Sequence, residues 1–197
     1  MAGIMEVATA EFAAKGLAGA RIDAIADATH TSKRMIYYYF GSKEGLYLAV
    51  LEESYRRMRQ IEADLHLSDL PPEDALAKLV GFTFDRHHSN QDFIRLVMSE
   101  NMQFGKYLAQ SKVIQGLNVS VIQSIQELYG RGVKQGVFRP GLDPIDIHES
   151  ISALAFFNVS NRSTFDLIFK RDGHDAATLA ARRHNVIDMV LRFVRNS

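Results

Sequence analysis

The chain reads as an all-α protein of about nine helices, divided into an N-terminal three-helix domain over residues 1–52 and a larger helical domain over residues 53–197. Three observations predict this. Apolar residues recur at the i, i+3, i+4 spacing of a helix face along the chain, and no segment shows the strict alternation of a half-buried strand. The interruptions of that pattern fall on Pro, Gly and capping residues. Between Ile22 and Phe40, two short helical patterns are separated by a few turn-compatible residues, and the second is basic and rich in tyrosine.

The first helix carries Ile4, Val7, Ala8 and Phe12 as its buried stripe. The second keeps Ile22, Ile25 and Ala26 on one face, with Asp23 and Asp27 toward solvent. Thr29-His30-Thr31 forms the turn, where a tight corner needs a residue of positive φ; glycine is cheapest there and histidine tolerable. Ser32 offers its hydroxyl as N-cap to a helix from Lys33 to Tyr39, in which Ile36 points inward and Lys33, Arg34, Tyr37 and Tyr38 point outward. Ser42 opens a helix that runs to about Gln60. A linker around His66–Leu70 follows, and Pro71-Pro72-Glu73 starts a helix with Leu76, Leu79, Val80, Thr83 and Phe84 on its buried face. Asn90 caps a helix to about Gln103, and a long helix from Lys112 stops near Gly136. Pro144 starts a helix reaching the neighbourhood of Phe165, and the last runs from Ala176 to Val194.

The chain balances 23 basic against 23 acidic side chains, yet from His30 to Lys43 there are three fixed positive charges and no acid. Such a helix can pair with phosphates, fork an arginine onto guanine O6 and N7, and set a tyrosine against thymine methyls or phosphates. Lys43 in the first turn of the next helix reinforces a positive helix end, which suits a phosphate.

The segment Ile25-Ala26-Asp27-Ala28-Thr29-His30-Thr31-Ser32-Lys33-Arg34-Met35-Ile36-Tyr37-Tyr38-Tyr39-Phe40-Gly41-Ser42-Lys43-Glu44-Gly45-Leu46 resembles the signature of the tetracycline-repressor (TetR) family, and Phe12 and Gly16 sit where that family ends its first helix. The sequence departs from the family in the turn, where Thr29-His30-Thr31 replaces the usual Ala-Gly-Val. It departs also at Ala20 and Arg21, where the family often has capping hydroxyls. The resemblance implies a homodimeric, sequence-specific transcription factor, usually a repressor, whose larger domain binds a small molecule and thereby releases DNA. Position by position it implies Lys33, Arg34 and Tyr37 as base readers, Ser32, Tyr38, Tyr39 and Lys43 on the backbone, and Arg21 at a phosphate. It also implies that the last two helices pair with their symmetry mates. In such a dimer the helix from Ser42 is the natural lever, because a change in its tilt alters the spacing of two recognition helices that must match about 34–36 Å of DNA.

For dimerisation the candidate stripes are Ile147, Ile151, Leu154 and Ala155, and Leu179, Val186, Ile187, Val190, Leu191 and Val194, with ordinary intrachain core as the competing explanation. For the effector, Asn158 and Arg162 are polar groups on an apolar stripe, fitted to orient a ligand and pair with a carboxylate, with Phe93, Met98, Met102 and Phe104 as a wall. Activation of transcription, or constitutive DNA binding without a ligand, are the alternatives. A metal enzyme or metal sensor is a weaker one. Adjacent His87 and His88, near Asp85, project about 100° apart on a helix, and His148-Glu149 supplies no third ligand at helical spacing. The absence of cysteine excludes disulfides and thiolate sites. No catalytic motif of recognised spacing is present, no cofactor is implied, and a cytoplasmic location is expected because neither a signal peptide nor a membrane-length apolar run is visible.

Overall fold

The computed structural model describes residues 2–196. Ten α-helices account for most of it: α1 Ala2–Gly19, α2 Ile22–Ala28, α3 Lys33–Phe40, α4 Lys43–Ala63, α5 Pro72–Ser89, α6 Gln91–Met102, α7 Lys112–Lys134, α8 Pro144–Ser160, α9 Arg162–Phe169 and α10 Ala176–Val194. Among the described residues the only β pairing is an isolated antiparallel bridge between Phe138 and Arg195. The all-α reading holds, with one helix more than expected. Where a single helix was expected from Pro144 to Phe165, the backbone leaves the helix at Asn161 and re-enters it at Arg162. No Pro or Gly marks that break. The run Asn158, Ser160, Asn161, Ser163, Thr164 instead offers side chains that compete for the backbone, as in the bond from Thr164 Oγ1 to the Asn161 carbonyl at 3.0 Å.

The chain forms two compact units. The first comprises residues 1–58 and 91–117 and holds α1, α2, α3, most of α4, α6 and the start of α7. Its core gathers Ala8, Phe12, Ile25, Ile36, Leu46, Tyr47 and Val50 with Leu96 and Ile114, and the Phe12 and Tyr47 rings meet edge-on at 5.1 Å. The compact unit therefore extends beyond the 1–52 segment read from the sequence, because α6 packs along α1 and completes its apolar core. Ser111, N-capping α7 at Ile114, also donates to Glu52 Oε1 on α4 at 2.6 Å.

The second unit comprises residues 59–90 and 118–197. Leu76, Leu79, Val80 and Phe84 of α5 meet Ile125 and Leu128 of α7, Ile147, Ile151 and Ala155 of α8, and Val186, Val190 and Val194 of α10. Most apolar residues of the α8 and α10 stripes, Ile147, Ile151, Ala155, Val186, Val190, Leu191 and Val194, are thus buried inside one chain, as the competing explanation requires, while Leu154, Leu179 and Ile187 are half-buried. Arg131 holds the 66–70 linker, donating to the carbonyls of Leu67, Ser68 and Leu70 at 2.8, 3.0 and 2.9 Å.

Candidate functional site

In the first unit, α2, the turn and α3 form a corner whose geometry follows from local hydrogen bonds. α2 ends at Thr29; His30 takes the left-handed conformation at φ 50°, its N–H reaching the Asp27 carbonyl at 3.2 Å, while the Thr31 N–H reaches the Ala26 carbonyl at 3.0 Å. These are the two closing bonds of a Schellman C-cap, with histidine where glycine is the usual occupant. Ser32 then accepts from the Met35 N–H at 3.2 Å and starts α3 as expected. At the other end of that corner α2 has no side-chain N-cap at Arg21, and Glu11 of α1 accepts from the Arg21 backbone N–H at 3.0 Å. The Lys15 ammonium is the first cause, with the Arg21 bond also contributing, that holds the Glu11 carboxyl below its ordinary range.

Two glycines set the approach of α3 to α4. Gly41 bends the chain at φ 75°, and Gly45 lies so close to α3 that a Cβ there would stand 2.0 Å from the Phe40 carbonyl oxygen. Ser42 caps α4, accepting from the Gly45 N–H at 3.0 Å.

This framework buries Ile36 and presents Ser32, Lys33, Arg34, Tyr37, Tyr38 and Tyr39 on the surface, with Tyr38 79% exposed. Arg21 is likewise exposed at the start of α2. Two of these candidates have protein partners that the sequence did not disclose. Lys33 pairs with Asp23 on α2, and Arg21 approaches the same carboxylate at 3.9 Å. Exposed pairs of this kind contribute about 0–1 kcal/mol, so a phosphate can displace the carboxylate at small cost. Lys43 donates to the Ala18 carbonyl of α1 at 3.2 Å, which leaves two of its three ammonium hydrogens for another acceptor. Arg34 takes part in none of the ion pairs among the described residues. Basic, hydroxyl-bearing and aromatic groups thus share one surface on a short helix, the composition that reads and grips a DNA groove.

Two cavities of the second unit are lined by charged side chains. The larger, of about 540 Å³, is walled by the last turn of α4 (Arg59, Glu62, Ala63), the 66–68 linker and the face of α7 from Ser120 to Arg131. Arg59 and Glu62 pair at 2.7 Å; burial pushes the Glu62 carboxyl up, and the Arg59 charge opposes that shift. Burial, and then the same arginine, lowers His148 and brings His87 down to about 4.

The smaller cavity, of about 280 Å³, lies among the last turn of α8, α9 and the start of α10, and both Asn158 and Arg162 line it as the sequence suggested. Both also have partners within the chain. Asn158 is occupied at both ends of its amide, accepting from Arg182 Nε at 2.9 Å and donating to the Leu154 carbonyl. It therefore orients Arg182 and keeps one amide N–H uncommitted. The remaining candidates do not join this site. Phe93 is buried in the first unit against Tyr55, Met98 belongs to that unit also, and Met102 and Phe104 stand on its surface, 81% and 98% exposed. Phe93 shares the buried side of α6 with Ile94 and Leu96, and Phe104 lies beyond the end of that helix. The histidines considered as metal ligands have other surroundings: His88 faces Arg162, Asp85 pairs with Arg183 at 2.8 Å, and His87 is buried. Among the described residues no helix is long and apolar enough to cross a membrane.

Comparison with known proteins agrees with this architecture. Residues 4–50 match the model for bacterial regulatory proteins of the tetR family, and residues 72–190 match a tetracyclin repressor-like C-terminal domain. The HTH-type transcriptional repressor NicS of Pseudomonas putida is 32% identical over 98% of this chain and 91% of its own length. The transcriptional regulator SCO4942 of Streptomyces coelicolor superposes with a TM-score of 0.73 at 26% identity, covering 98% of this chain and 97% of its own. FadR of Bacillus subtilis, solved with stearoyl-CoA, shares the fold at a TM-score of 0.74 and 17% identity, over 96% and 97% of the two chains. A helix-turn-helix unit with a basic, tyrosine-bearing second helix, joined to a helical unit matched by the repressor-like C-terminal model, places this chain in the TetR family of DNA-binding transcriptional regulators.

Proposed function

We propose that the protein represses transcription as a homodimer on a two-fold operator and leaves it when a small molecule occupies the second unit. Its carrying observation is the continuity of α4, one helix from Lys43 to Ala63 that starts one residue after the Ser42 cap, behind the recognition helix, and ends with Arg59 and Glu62 in the wall of the 540 Å³ cavity. A ligand with different affinity for two settings of that last turn shifts the equilibrium between them, by a coupling of typically 1–3 kcal/mol. That the second unit holds cavities at all favours a ligand-responsive protein over a constitutive DNA binder. The name of NicS favours repression over activation, and FadR shows that a neighbour in this fold accommodates a small molecule.

Arg34, Lys33 and Tyr37 read bases in this proposal; Ser32, Tyr38, Tyr39, Lys43 and Arg21 hold the phosphates. Two copies are required because one short helix reads too few base pairs for useful specificity. With their apolar stripes buried internally, α8 and α10 have exposed residues such as Ile145, Ala153, Ala181 and Met189 to offer a second copy. Selection of bound fragments from genomic DNA should yield one palindrome, and Arg34→Ala should change the base preference within it by about 1–3 kcal/mol, read by competition binding. Recovery of no motif, or an unchanged preference in the variant, would refute this assignment of the recognition helix.

A further inference from the structure

The smaller cavity presents an electrostatic anomaly. Arg162 is only 9% exposed, and its guanidinium hydrogen-bonds to no carboxylate: Nε donates to the Asn158 carbonyl at 3.0 Å, and the terminal nitrogens face His88 Nδ1 at 3.0 Å and His174 Nδ1 at 3.5 Å. Arg171 and Arg182 line the same space. None of the ion pairs among the described residues includes any of these three arginines. The cavity's one lining carboxylate, Asp166, accepts from the Gly173 N–H at 3.0 Å. Arg171 is exposed to solvent, but Arg162 and the half-buried Arg182 against one carboxylate leave a net charge of about +1 in a partly closed space, and buried charges are ordinarily compensated by a counter-charge.

The donor inventory shows where that counter-charge would bind. A guanidinium has five N–H groups. Arg162 uses three of them on the Asn158 carbonyl and the two histidines. Arg182 commits its Nε to Asn158 Oδ1, and Asn158 is itself fixed to the Leu154 carbonyl, so the forked end of Arg182 is oriented and has its terminal N–H groups available. A planar fork of this kind matches a carboxylate. Opposite the charges stand Phe157 and Phe165, edge-on at 6.0 Å, and Leu179, an apolar wall for which inorganic anions have no use. At about 280 Å³ the cavity lies near the lower end of the roughly 300–1,000 Å³ range of small-molecule pockets.

We propose that this cavity is a second ligand site, separate from the one walled by α4, and that it takes a small organic monocarboxylate with a flat apolar body. The carboxylate sits between Arg162 and Arg182, the body lies against Phe157 and Phe165, and Asn158 is a positioning residue. Charge and apolar surface together set the specificity: the neutral amide of the same shape lacks the charge, and phosphate lacks the apolar body.

Calorimetric titration of the full chain with benzoate, benzamide and inorganic phosphate tests this, with thermal unfolding in parallel. Benzoate should bind and raise the melting temperature, and benzamide and phosphate should bind at least about tenfold more weakly. Two variants move the affinity in opposite directions. Arg182→Gln should weaken benzoate about tenfold or more, whereas Asp166→Asn, which keeps an acceptor for Gly173 but removes the competing charge, should tighten it. A merely structural disturbance would weaken both. The proposal is overturned if benzoate at millimolar concentration gives neither heat nor a thermal shift, if benzamide or phosphate binds equally well, or if both variants change affinity in the same direction.

Discussion

The recognition surface of the first unit and the cavity linings of the second hold their basic side chains in opposite ways. In the first, Arg21, Lys33 and Arg34 stand in solvent, balanced at most by one exposed carboxylate, Asp23. Around the cavities of the second, Arg59 and Arg162 are largely withdrawn from water, Arg59 pairing with the half-buried Glu62 and Arg162 facing His88 and His174. The difference fits the partners proposed for each, DNA for the first and a small molecule for the second. A DNA backbone delivers many negative charges at once, so readers that remain hydrated can exchange water and weak partners for phosphates with little reorganisation. A small ligand delivers one charge and must be desolvated, so its partners are held in place beforehand.

Acid should break the contrast most strongly, because only the second unit holds a histidine as deeply depressed as His87. Burial, then Arg59 and His148, keep His87 down near 4, against an ordinary value of 6.5. Below 6.5 the unfolded chain takes up a proton that the folded one refuses, so stability falls as pH drops toward about 4 and is unaffected above 6.5. The slope is about 1.4 kcal/mol per pH unit and the total on the order of 3 kcal/mol. Denaturant unfolding followed at pH 7, 5.5 and 4.5 should show it, and His87→Phe should flatten the profile; an equal acid slope in that variant would assign the loss elsewhere.

Next in size is Gly45→Ala in the first unit. The added methyl meets the Phe40 carbonyl, part of the backbone rather than a movable side chain, so α4 must shift against α3. A loss of about 2 kcal/mol in stability is expected, together with weaker operator binding. If the melting temperature were unchanged, the close approach of the two helices would be wrong.

Asp23→Asn has a smaller effect and the opposite sign. It frees Lys33 and Arg21 from their shared carboxylate and should strengthen DNA binding by a few tenths to about 1 kcal/mol, more at low salt than at high. Weakened binding would mean that Asp23 positions Lys33 instead of competing for it. His30→Gly should raise stability by about 0.5–1 kcal/mol: glycine relieves the left-handed strain at φ 50°, and its greater freedom in the unfolded chain offsets part of the gain. A loss instead would show that the His30 side chain makes a contribution its exposed position does not suggest.

The recognition corner could be read from sequence because its determinants lie within about twenty consecutive residues. Ile22, Ile25 and Ala26 name the buried face, His30 fills the positive-φ position, Ser32 caps, and Ile36 turns inward, each acting on neighbours a few positions away. The start of α5 at its proline pair and the bounds of α10 were legible for the same local reason. The α8–α9 break at Asn161 was not. It depends on polar side chains that are tolerated within a helix and favour leaving one only in context.

Tertiary structure alone decided which faces meet and which charges are paired. Periodicity shows that Val186, Val190 and Val194 share a face, but an intrachain core and a dimer seam require the same apolar stripe, so only packing could assign it to the core. Phe93 and Met98 carry the signature of a pocket wall and belong to the first unit, where α6 lies along α1. The pairings of Lys33 with Asp23, of Lys43 with the Ala18 carbonyl, and of Arg162 with His88 across 74 positions join residues that no local pattern connects. Helix and turn formation is governed by interactions within a few residues, which a sequence displays directly; compensation of charge is governed by distance in space, which only the folded chain defines.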